Sequence, residues 1–168
     1  MNGTNTHQHM HVIAGAVNDQ CRTPQLSHNA AQIREKIGAN FGRDQGLTSA
    51  PTFAMEAAAH GLGYTIAYSG RCEMQYAPDV AAAFIAAARA SFSGATVVNV
   101  PGTSVLIEEV VAEIERAVPE VAGRIEINGP PLPFPEELDS STFADIVGSV
   151  PLTPLSEGIA ATIAHFRR

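Results

Sequence analysis

Apolar positions along this chain repeat with two periods, and the switches between them predict alternating helices and strands. The clearest helical stripe falls in residues 107–118, where Val110, Val111, Ile114 and Val118 share a face while Glu108, Glu109, Glu113, Glu115 and Arg116 face water. Pro51 suits a first helical position and Gly61 a left-handed cap, so 51–60 reads as a helix with Phe53 and Ala57 on one face. Pro78 opens the longest helix, 78–91, with Asp79 in its electropositive first turn. Strands are expected at 64–68, turned by Ser69-Gly70, at 73–76, at 96–100, stopped by Pro101-Gly102, and at 124–128.

The proline run at 129–135 fits neither a helix nor a central strand and reads as an extended surface segment. Glu136-Glu137 then enter a short helix as solvated charges, with Asp139 capping it as far as Val147, and Thr153 caps a last helix with Pro154 in first position. Upstream, residues 1–9 are polar, 11–17 form an apolar strand candidate, 24–36 is helix-compatible with Ile33 and Ile37 four apart, and 38–46 is a glycine-punctuated loop. The alternation of strand and helix, without a repeat, gives an α/β or α+β unit.

Composition narrows the function. In 168 residues, 45% apolar and 16% charged, one ordinary domain with a sizeable core is expected. A net charge of −7 with scattered cations gives no basic stripe to displace counterions, so nucleic acid is not an expected partner. Cys21 and Cys72 are too few for a disulfide framework and have no zinc spacing, so both are expected reduced. The alanine-rich run at 80–88 is too short to span a bilayer, and a cytoplasmic protein with no membrane partner is the reading.

Several chemistries can be weighed directly. His7, His9 and His11 would share one face of a strand, a possible metal triad, but no Cys, Asp or Glu stands by to orient them, and a solvated tail is preferred. His60 and His165 fall in last helical turns, where a cation suits the dipole. No Gly-x-Ser-x-Gly elbow occurs, and Ser69 is a turn serine. Lys36 is the sole lysine, and four residues before it stands Gln32, so no Tyr-x-x-x-Lys pair exists in the chain. Tyr64, Tyr68 and Tyr76 therefore read as half-buried strand residues, and no catalytic residue is assigned. No glycine-rich dinucleotide turn occurs either; Gly15 is a lone turn glycine.

Three stretches nevertheless carry a resemblance: Arg43-Asp44-Gln45-Gly46-Leu47-Thr48, the segment from Gly70 to Ala81, and Thr153-Pro154-Leu155-Ser156-Glu157-Gly158-Ile159. In order and spacing they resemble the substrate-binding half of the NAD-dependent epimerase/dehydratase family, the extended short-chain dehydrogenases/reductases. The resemblance covers residues 42–168 and leaves 1–41 unmatched. Tyr76-Ala77-Pro78-Asp79-Val80-Ala81 is similar to the family's strand-to-helix turn, with Pro78 in place of an Asp, and Leu106 stands where the family has a Ser or Thr cap. A missing cap costs about 1 kcal/mol unless Thr103 or Ser104 starts the helix earlier.

The resemblance implies an α/β fold: an incomplete Rossmann-like doubly wound unit plus the small α/β substrate-binding lobe of extended short-chain dehydrogenases. It implies Arg71, Arg43 and Tyr76 as substrate-binding residues, Arg71 standing one position from the place where members hold a phosphate or carboxylate. The proline run would line the substrate cleft or a subunit contact, or serve as a plain surface crossover. Intact relatives are oxidoreductases and isomerases that act on nucleotide sugars or sugar acids with NAD or NADP. The run at 43–48 and the proline segment look more like the sugar and sugar-acid members. The chain by itself is expected to bind no cofactor and to be a truncated, inactive member that self-associates through uncovered apolar surface. A non-catalytic ligand-binding or dimerisation module, and an inactive gene remnant, remain alternatives.

Overall fold

The computed structural model describes residues 49–133 and 135–168. Expectations placed on 1–48, including Arg43, Cys21 and the His7/His9/His11 alternation, lie outside the described residues. The chain runs α1 (Ala50–Ala59), β1 (Tyr64–Ile66), β2 (Arg71–Met74), α2 (Ala77–Arg89), β3 (Thr103–Leu106), α3 (Ile107–Ala117), a 3-10 turn (Pro119–Val121), β4 (Ile125–Ile127), α4 (Ser141–Val147) and α5 (Leu155–Phe166).

α1 stops where the glycine signal places its end. Gly61 has φ +69°, its N–H donates to the Ala58 carbonyl at 2.9 Å, and the Leu62 N–H reaches back to Ala57 at 2.8 Å. Those two bonds satisfy carbonyls that a helix end otherwise leaves free. Reversed by this cap, the chain enters β1, which pairs in parallel with β4 in the register Tyr64 with Ile125 and Ile66 with Ile127. β2 and β3 form a separate antiparallel ribbon, with Arg71 opposite Leu106 and Glu73 opposite Ser104.

The main core lies between these sheets and helices α1, α3 and α5. Ala54, Ala58, Ile66, Ile107, Val110, Ile114 and Val121 are fully enclosed there. The alanines of α1 let α3 and α5 approach closely, and the apolar stripe of α3 is buried as its spacing predicts, with Val110, Ile114 and Val118 inside and Val111 partly so. A second, smaller cluster gathers Ala83 and Ala87 of α2 with Val98, Val100 and Phe143 of α4. Among the described residues no helix is long and apolar enough to cross a membrane.

Several local expectations are corrected. Residues 96–100 form no strand: Val98 and Val100 are buried and Val97 exposed, but among the described residues no neighbouring strand supplies a ladder. Side chains bond the segment instead, Gln75 Nε2 donating to the Val100 carbonyl at 2.7 Å and Asn99 Nδ2 to that of Asp139 at 2.9 Å. The partner of β2 is β3, in a stretch expected to cap a helix. α3 therefore starts at Ile107, behind Leu106, and the Glu109 carboxylate accepts the Leu106 N–H at 2.7 Å in place of a hydroxyl cap. Thr153 caps nothing. Its N–H and hydroxyl both donate to the Asp79 carboxylate, at 2.7 and 2.9 Å, tying the start of α5 to the first turn of α2. Glu136 and Glu137 precede no helix directly, since α4 begins at Ser141. Asp139 does take up a terminal donor of α4, accepting the Ser141 N–H at 2.9 Å, a bond that holds its carboxyl below the ordinary aspartate range.

Candidate functional site

The β2–β3 ribbon has two unlike faces, because side chains alternate along a strand. Cys72, Met74 and Val105 turn into the main core. Arg71 and Glu73, with Ser104 and Leu106 opposite them, form the other face. Along this second face runs the proline segment, fixed at both ends. At one end Ser69 donates from its N–H to the Pro130 carbonyl at 3.2 Å and from its hydroxyl to that of Gly129 at 2.9 Å. At the other, the Ser104 hydroxyl donates to the Glu136 carbonyl at 2.9 Å, and Glu73 Oε2 accepts the Leu138 N–H at 2.8 Å.

Between the ribbon and the far end of this segment lies an open cleft of about 260 Å³, walled by Glu73, Gly102, Ser104, Glu137, Leu138 and Ser140. Gly102 is required by packing, since a Cβ there would come within 2.7–2.9 Å of the Glu73 and Gln75 side chains. Arg71 stands beside the cleft, half-buried, with Nη1 donating to the Ser104 carbonyl at 3.1 Å. Among the described residues no carboxylate forms an ion pair with it; the one such pair is Arg116–Glu113 on α3. A guanidinium held by one neutral carbonyl keeps donors and full charge for an anion.

Tyr76 is placed elsewhere. It precedes the first turn of α2 and its ring lies against Gly158 of α5, about 3.5 Å from where a Cβ would stand. Neither Tyr76 nor Arg71 is among the cleft walls, so the structure does not gather the two around this cavity, and Arg43 lies outside the described residues. The sequence analysis missed Glu73, Gly102, Ser104 and Glu137. A strand begun at Arg71 rather than at Glu73 places Arg71 and Glu73 on one face by period two, and that shift of two residues was the available signal.

Tyr64 is a half-buried strand residue as expected, whereas Tyr68 and Tyr76 lie outside any strand. Tyr68 is buried in the main core, outside any strand, with Cys72 beside it; burial first, then the neighbouring sulfur, pushes its pKa far above the ordinary tyrosine range. Burial also raises Tyr64, in β1, and the thiol of Cys72, which is reduced and partly buried as expected. All three groups are thereby held in their neutral, unreactive forms. No group of three or more His, Cys, Asp or Glu residues capable of holding a metal ion occurs among the described residues.

No family model and no curated protein matches the sequence. Solved structures do. A partial-consensus L-threonine 3-dehydrogenase superposes with a TM-score of 0.63 at 24% identity, over 73% of this chain and 43% of its own. UDP-glucuronic acid 4-epimerase from Bacillus cereus, solved with NAD and a 4-deoxy-4-fluoro UDP-glucuronic acid, superposes at 0.54 and 19% identity, over 70% of this chain and 39% of its own. The same epimerase with NAD alone gives 0.53 and 17%, over 71% and 40%. The fold is that of part of these dehydrogenase and epimerase structures. The mixed α/β class expected from the sequence is met. The chain spans about two-fifths of the length of these enzymes.

Proposed function

We propose that this chain is the ligand-side lobe of an NAD-dependent epimerase/dehydratase-type oxidoreductase, residues 42–168 forming the lobe. It binds a sugar or sugar acid at the β2–β3 ribbon, with Arg71 holding the ligand's anionic group. The observation that carries the reading is a conjunction: the fold follows these enzymes over about 70% of the chain, and on the outward ribbon face it presents a guanidinium to which, among the described residues, no carboxylate is paired. An enzyme and a binding protein with this lobe differ in whether it can move a hydride.

By themselves these residues do not. Hydride transfer to a nicotinamide needs a phenol of lowered pKa to take the hydroxyl proton, and a cradle for the pyrophosphate. Tyr64 and Tyr68 are shifted the wrong way, Lys36 has no tyrosine four residues before it, and no glycine-rich turn is present. The residues present do not fit a dinucleotide, and NAD or NADP belongs to the remainder of such an enzyme. The same facts favour the second reading, a non-catalytic ligand-binding or dimerisation module. Exposed Phe84 and Ile85 on α2, with Phe92 and Val97 after it, supply apolar surface for self-association. A cytoplasmic location belongs to this proposal.

Calorimetric titration of the purified chain tests it. NAD, NADH, NADP and NADPH are expected to give no heat of binding, while an anionic sugar binds and loses its affinity in Arg71→Ala. Micromolar binding of any dinucleotide would sink the proposal.

A further inference from the structure

From Val80 to Ile107 the chain carries one charged residue, Arg89, although many of these positions face water. Exposed Ala77, Ala81, Phe84, Ile85 and Ala88 line one side of α2 by helical period, next to the side that buries Ala83 and Ala87. A helix apolar on both sides belongs inside a packed structure. Residues 96–100 show the same one-sided enclosure: Val98 and Val100 are buried with Ala83 and Ala87 in the smaller cluster, whereas Val97 is 64% exposed. Among the described residues the backbone groups of Thr96, Val97, Val98 and Asn99 make no hydrogen bond, and the Val100 carbonyl accepts one from Gln75. Free backbone donors and acceptors on a segment with a strand's alternation call for a strand beside it.

We infer that this edge pairs with the same edge of a second copy of the chain, antiparallel about a two-fold axis near Val98, with Phe92 and the exposed apolar side of α2 buried alongside. The inference rests on the dimerisation reading given above and names its surface. Charge selects the occupant. All 17 acidic residues lie outside 80–107, on a chain of net charge −7. A partner that recognises this chain by charge finds nothing to hold at the edge, and a two-fold contact elsewhere sets carboxylates against carboxylates. In an isologous contact each residue near the axis meets itself or a close neighbour, so an uncharged strand escapes self-repulsion. Nor is the edge blunted: from Phe92 to Val100 there is no Lys, Arg, Asp, Glu or Pro, the residues that keep an edge from pairing. The net charges of two copies still repel at a distance, so salt tightens such a dimer, whereas it loosens one held by ion pairs.

Sedimentation of the whole 168-residue chain over a range of concentration and salt tests this, with amide exchange followed in parallel at residues 96–99. A discrete dimer is expected that tightens with added salt, and these amides should exchange more slowly as it forms. Val97→Lys should weaken it about tenfold or more, by setting two ammonium groups near one axis, and Ile85→Lys by less. Both positions are exposed, so the fold should survive each change. Val97→Thr, polar but uncharged, guards against a local packing effect and should still dimerise. A dimer indifferent to Val97→Lys, with exchange at 96–99 unchanged, would overturn the edge pairing and leave dimerisation to another surface. Open-ended assembly without a discrete dimer would overturn the two-fold arrangement. A monomer at every concentration defeats both the pairing and the dimerisation reading; slow exchange at 96–99 in that monomer would show that another segment of the same chain covers the edge. None of these readouts depends on Arg71, so the ligand reading stands or falls by its own titration.

Discussion

Around Ile66, Ile107 and Ile114 the main cluster encloses fifteen buried side chains among the described residues, whereas the cluster around Phe143 encloses five. The first joins three helices to a parallel strand pair and one face of a ribbon. The second presses two alanines of α2 against Val98, Val100 and a single aromatic ring. What the smaller cluster lacks in buried area it makes up with discrete polar ties: Asp79 to Thr153, Asn99 to the Asp139 carbonyl, and Gln75 to the Val100 carbonyl. A broad aliphatic contact tolerates the loss of one group, because its neighbours partly close in. A region tied at a few points fails point by point, and that is the difference to be probed.

Phe143→Ala should have the largest effect, about 3–5 kcal/mol, and should act locally. Hydrogen exchange is expected to quicken in α2 and α4 before it does in α3. A uniform change across all helices would show that the clusters open as one. Ile114→Ala, at a fully enclosed position, should cost about 2–5 kcal/mol and lower the urea midpoint of the whole chain in a single transition. Next comes Asp79→Ala, which removes an acceptor of two bonds and should cost about 1.5–3 kcal/mol, with added exchange at the start of α5.

Tyr68 tests the main core by pH. Its folded-state pKa is raised, so the folded protein keeps the proton that the unfolded chain gives up. The stabilisation this represents is complete below the ordinary tyrosine value of about 10 and is lost as pH rises beyond it. Melting temperature should therefore fall in alkali, and Tyr68→Phe should flatten that fall. The smallest effect belongs to the exposed Arg116–Glu113 pair, where Arg116→Ala should stay within about 0.5 kcal/mol; a larger loss would mean that the arginine stem packs on α3.

The helices were legible because their signals are local. Pro51 and Gly61 bracket α1, Pro78 and Asp79 open α2, and the spacing of Val110, Ile114 and Val118 names the buried face of α3. Pairing across the chain left no such mark. Residues 96–100 carry a strand's alternation and bury it with no strand partner among the described residues, while Thr103–Leu106, with little alternation, becomes a strand because β2 lies beside it. At the candidate site Arg71 was reached through resemblance, and it stands on the outward ribbon face opposite Leu106. Glu73, Gly102 and Ser104 were not found, since what unites them is a cross-strand register linking residues some thirty positions apart. Thr153 looked like a cap for the same kind of reason: its true partner, Asp79, is remote in sequence.

The parallel pairing of Tyr64 with Ile125 has a consequence for biosynthesis. Until a nascent chain has extruded residue 127, the Tyr64–Ile66 segment lacks β4, its one strand partner among the described residues, while α1 and α3 are already available to cover its side chains. Translation halted shortly before that point would leave a helical intermediate with one bare backbone edge, the state most prone to capture by chaperones or by its own kind.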